Sequence, residues 1–60
     1  MNTITMFVLV VTVFVQGTGP VTTRSEPMDL ASCHAQMTQR MNAAGSSLVS
    51  AHCDGVEIKQ

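Results

Sequence analysis

The sequence predicts an α+β fold of ββαβ type, a small three-stranded sheet in the order 2-1-3 packed on one helix. Three observations lead there. The chain opens on a β-branched apolar run, Met6–Val15; its middle carries one stripe at helical spacing; and a short alternating segment, Ser46–Cys53, closes on a cysteine. The 60 residues allow one small domain, of a size that buries only about 60% of the surface its unfolded chain exposes. A staple or a partner is therefore expected.

The first strand spans about 4–15. Between Thr3 and Val15, nine of thirteen residues are β-branched, which suits an extended backbone better than a helix. A continuous apolar run of this kind reads as a strand covered on both faces. Two other fates compete. A signal peptide has the apolar core and small residues at Gly17–Gly19 for cleavage, but Met1–Thr5 carries no Lys or Arg. A membrane anchor needs about 20 apolar residues, and Gly17, Gly19 and Pro20 end the run early. In either case a short helical peptide follows the leader or anchor.

Gln16-Gly17-Thr18-Gly19 supplies two glycines able to take positive φ, the chemistry of a hairpin turn. A short second strand follows at about 20–25, its leading Pro20 suited to a sheet edge. Asp29 is then an N-cap, and Leu30, Cys33, Met37, Met41 and Ala44 recur at steps of three and four, giving a helix over about 29–44 that Gly45 ends. The third strand is placed at about 47–53, with Leu48, Ser50 and His52 on one face and Val49, Ala51 and Cys53 inward. Asp54-Gly55 reads as a turn, and 54–60 as a mobile tail of the single 1–60 domain.

If strand 1 pairs with strand 2 and the helix carries the chain back by a right-handed crossover, strand 3 lands beside strand 1. The most apolar strand is then central. Met6–Val15, Gly17–Pro20, Asp29–Cys33 and Val49–Cys53 give the arrangement its resemblance to small ββαβ proteins of bacterial and prophage genomes. These open with a Met- and Val/Leu-rich strand, turn through glycine, and place one Cys early in a helix and another in the last strand. The Thr-rich start and weakly apolar second strand depart from that pattern. The resemblance implies a fold and no transferable activity.

Cys33 and Cys53 are the only cysteines, and a disulfide between them would contribute about 3 kcal/mol in the chain-entropy model. Exported localisation is favoured if it forms. Cys33-His34 and His52-Cys53 together offer a Cys2His2 set, but neighbours diverge by about 100° on a helix and point to opposite faces of a strand, so neither pair chelates one ion. No metal, cofactor or catalytic residue is assigned, and the chain reads as non-enzymatic. A formal charge of −1, no Trp or Tyr and no basic patch argue against nucleic acid.

One helix covers one face of strand 1, yet both are apolar: Ile4, Met6, Val8, Val10 and Phe14 on one, Phe7, Leu9, Val11, Val13 and Val15 on the other. The second set is assigned as the exposed interaction surface. The expected role is protein–protein contact through it, with a homodimer or an unidentified protein as partner. The alternatives are a secreted single-disulfide peptide cut near residues 17–19 and a small membrane-anchored protein.

Overall fold

A computed structural model describes residues 2–59. The elements are β1 (Thr3–Val15), β2 (Gly19–Arg24), α1 (Leu30–Ala44), a 3-10 turn (Gly45–Ser47) and β3 (Leu48–Lys59). β1 is central, in the order β2-β1-β3, and antiparallel to both neighbours. This is the expected α+β architecture, with the helix packed on β1 and β3.

The β-branched content of β1 fixes it as a strand, and its length decides what pairs with it. β2 reaches only Val10–Val15. The hairpin turns through Gly17 at φ 89°, where the Thr18 N–H donates to the Val15 carbonyl at 3.0 Å, and Gly19 follows at φ 97°. Both angles lie where a Cβ is disfavoured.

The expected tail at 54–60 is not one. Up to Lys59 it continues β3, pairing Asp54–Lys59 with Thr3–Val8, and Asp54-Gly55 lies within the ladder instead of turning. The reason is the length of β1: thirteen residues expose backbone groups that a strand ending at Cys53 leaves unpaired beyond Leu9. Gln60 lies outside the described residues.

Val49 also differs from expectation. The ladder shifts between Thr12/Val13, pairing Thr12 with Ser50 and Val13 with Leu48. Val49 is the extra residue of a β-bulge, so Leu48 turns inward and Val49 stays 58% exposed.

Helix α1 begins where Asp29 caps it. Its carboxylate accepts from the Ser32 N–H at 3.2 Å and from the Ser32 hydroxyl at 2.7 Å. These hydrogen bonds to Ser32, the side-chain one foremost, hold the Asp29 carboxyl below its ordinary pKa. The helix buries a narrow strip: Cys33 is fully buried and Met37 packs beside it, while Leu30 and Met41 of the expected stripe remain exposed. Cys33 and Cys53 form a disulfide, with their Cα atoms 6.3 Å apart. The pairing fastens the start of α1 over β3.

Four consecutive β1 residues, Val8–Val11, and Cys33 are the buried apolar residues among those described. A leader or anchor reading of the first stretch would take from the fold the strand that supplies four of these five.

Candidate contact surface

The alternation of β1 sends odd residues to one face and even residues to the other. Leu9, Val11 and Cys33 form the core under the helix, with Phe7, Val13, Met28, Met37, Leu48, Ala51 and Cys53 packed against it. Four residues assigned to the interaction surface, Phe7, Leu9, Val11 and Val13, are thus the covered set. Val15, the fifth, ends the strand and is exposed. The correction follows from the disulfide: Cys53 sits opposite Leu9, so bonding to Cys33 commits the odd face to the helix.

The open face is the even one. Register places its rows along the sheet: Ile4 beside Ile58, Met6 beside Val56, Val8 beside Asp54, Val10 between Arg24 and His52, Thr12 between Thr22 and Ser50, and Phe14 beside Pro20. Ile4 and Phe14 are 39% and 55% exposed, whereas Val8 and Val10 are buried. Asp54 reaches from its own row to the next, lying 3.3 Å from the His52 Nε2 and 3.8 Å from an Arg24 guanidinium nitrogen. These side chains stay about half exposed, so the pairs contribute little to stability as they stand. Thr12 and Thr22 share a hydroxyl hydrogen bond of 2.9 Å.

The far end of this sheet reverses the usual pattern. Helix α1 has 15 residues and spans about 22 Å, about half the length of β3. Around Thr3–Met6 and Val56–Lys59, the residues on the helix side are Thr3, Thr5, Glu57 and Lys59, all exposed, and those on the open side are Ile4, Met6, Val56 and Ile58. The apolar groups here point away from the helix. The signal lay in Val56-Glu57-Ile58-Lys59, whose strict alternation marks a strand with one face to bury.

On the helix side, a shallow groove of about 270 Å³ runs between α1 and β2, lined by Val11, Val13, Thr23, Arg40, Ala43 and Ala44. It is the gap left where α1 sits over β1 and β3. Among the described residues, no three His, Cys, Asp or Glu side chains are grouped to hold a metal, and both thiols are in the disulfide. His34 is exposed on the helix. No helix among them is long and apolar enough to cross a membrane.

The chain matches no family model, no curated protein sequence and no solved structure. The surface therefore has to be read from its own chemistry.

Proposed function

We propose that the protein acts by protein–protein contact, through the even face of its sheet, and not by catalysis. The observation that carries this reading is the reversed alternation at the Ile4/Ile58 end. There the chain places polar side chains on the helix side and four apolar ones on the side with no layer of its own. Leaving a large apolar side chain in water forfeits about 1.5–3 kcal/mol against burying it, and a contiguous patch rimmed by polar groups is the usual mark of a contact site. The Cys33–Cys53 bridge supports an oxidising site of action, since such bonds persist outside the reducing cytosol.

Size supports the same reading. The chain exposes 4266 Å², against about 3,800 Å² for a compact monomer of its mass. The test is a hydrophobic dye and a concentration series on the oxidised full chain. The expected result is dye binding by the folded protein or self-association, either of them removed by Ile4→Lys. A monodisperse monomer that ignores the dye overturns the proposal.

A further inference from the structure

The even face is complementary to itself. We infer that its occupant is a second copy of this chain, stacked sheet to sheet about a twofold axis running parallel to β1. This rests on the contact reading above and adds the identity of the partner. Rotation about such an axis keeps every row at its own height and exchanges β2 with β3. The Ile4/Ile58 and Met6/Val56 rows then meet their own copies, apolar on apolar. Arg24, on β2, comes to lie over β3 of the other copy, where His52 shares its row and Asp54 follows on the same face. The symmetry makes two such meetings, in each of which Arg24 stands level with His52 of the other copy and has that copy's Asp54 one row away, within reach of a long side chain. An axis across the strands instead stacks β2 on β2 and β3 on β3, which forms no pair of this kind between copies.

Area and shape agree with this occupant. Strands of 13, 6 and 12 residues give a flat sheet footprint of about 490 Å², hence about 1,000 Å² for two faces before side-chain relief is counted, the lower bound for a specific interface. The monomer measures 47 × 21 × 12 Å with a Cα radius of gyration of 13.2 Å, where a compact 60-residue domain has about 10.4 Å. Stacking two sheets about 10 Å apart yields about 14 Å, close to the roughly 13.6 Å of a compact body of 120 residues. Two copies together reach the compactness that one lacks.

Sedimentation equilibrium and small-angle scattering of the oxidised full chain, over a range of concentrations, test this. The expected result is a dimer with a radius of gyration near about 14 Å. Arg24→Asp and Asp54→Arg each weaken it at least about tenfold, and the R24D/D54R exchange restores it. Ile4→Lys abolishes it with the circular dichroism unchanged, because Ile4 is already partly exposed. A monomer at every concentration that binds the hydrophobic dye overturns the second copy while leaving the contact reading in place. A dimer indifferent to both Arg24→Asp and Ile4→Lys joins the copies elsewhere, as in β3 edge to β3 edge, and also overturns it.

Discussion

Phe7 and Met28 exchange two backbone hydrogen bonds, the Phe7 N–H donating at 2.7 Å and the Met28 N–H at 2.8 Å. The chain leading into the helix is thereby held along β1 after the β2 ladder has ended at Arg24. Ser25 bridges the interval: its N–H donates to the Leu9 carbonyl at 3.0 Å and its hydroxyl oxygen accepts from the Leu9 N–H at 2.9 Å. A side chain replaces a missing ladder partner at a residue only 3% exposed. Ser25→Ala leaves that amide without its acceptor and is expected to cost about 1–3 kcal/mol. Ser25→Thr, which keeps the hydroxyl, should recover much of it. Urea titration of the three proteins is the measurement, and equal midpoints for Ala and Ser would refute the bridging role.

The disulfide joins residues 20 apart in sequence and supplies a large share of what this fold has for a core. Reduction, or Cys33→Ala with Cys53→Ala, removes about 3 kcal/mol of loop-closure stabilisation and leaves α1 with Met37 as its main apolar anchor. For a domain of this size that is expected to abolish the cooperative thermal transition at 37 °C and above. Melting curves with and without reductant would show it, and coincident curves would speak against it.

The fold was largely legible because each strong local signal agreed with its neighbours: the β-branched run of β1, the glycines at 17 and 19, the Asp29 cap and the spacing of Cys33 from Cys53. Three features were not legible, for physical reasons. Asp54-Gly55 has the composition of a turn, yet the ladder needs of an unusually long β1 override it. The bulge at Val49 then breaks the period-2 rule by which inward residues of β3 are counted. The two faces of β1 are equally apolar in the sequence, so the covered face is decided by the disulfide, a tertiary fact. The strand alone therefore does not say that Phe7, Leu9, Val11 and Val13 are the set the helix covers.

Two glycines should answer a methyl group in opposite ways. At Gly55 an added Cβ sits 3.6 Å from the Phe7 ring, an ordinary contact, and φ is not positive. Gly55→Ala is expected to be neutral or to stabilise by about 0.4–1 kcal/mol through the unfolded chain. Gly45 closes the helix at φ 57°, its N–H donating to the Met41 carbonyl. There the space is open but the backbone resists a side chain, and Gly45→Ala should cost about 1 kcal/mol. Thermal midpoints that move in the same direction would contradict the assignment.

Acid should loosen the helix start. The Asp29 carboxyl is held below its ordinary value by the Ser32 hydroxyl and N–H, so its folded pKa is lower than its unfolded one. Its stabilising contribution is fully present above the unfolded value, near 4, and falls away as pH drops through the folded value. Asp29→Asn keeps an N-cap that does not titrate. The wild type is expected to lose stability below about pH 4 more steeply than Asp29→Asn, read as the pH dependence of the melting midpoint. Parallel profiles would remove Asp29 from the acid response.

Deleting residues 54–60 decides between a tail and a strand. A tail is dispensable, and its loss leaves the melting curve where it was. As the second half of β3, residues 54–59 cover the outer edge of Thr3–Val8 and bring Val56 and Ile58 beside Met6 and Ile4. Without them, the six β1 residues Thr3–Val8 lose their ladder partners on that side. Each hydrogen bond contributes about 0.5–1.5 kcal/mol net, so losing several removes most of the stability of so small a domain. The expected outcome is a chain that no longer unfolds cooperatively, seen as a broad, featureless thermal profile by circular dichroism. A sharp transition at the wild-type midpoint would return these residues to the status of a tail and remove the basis for the open apolar face.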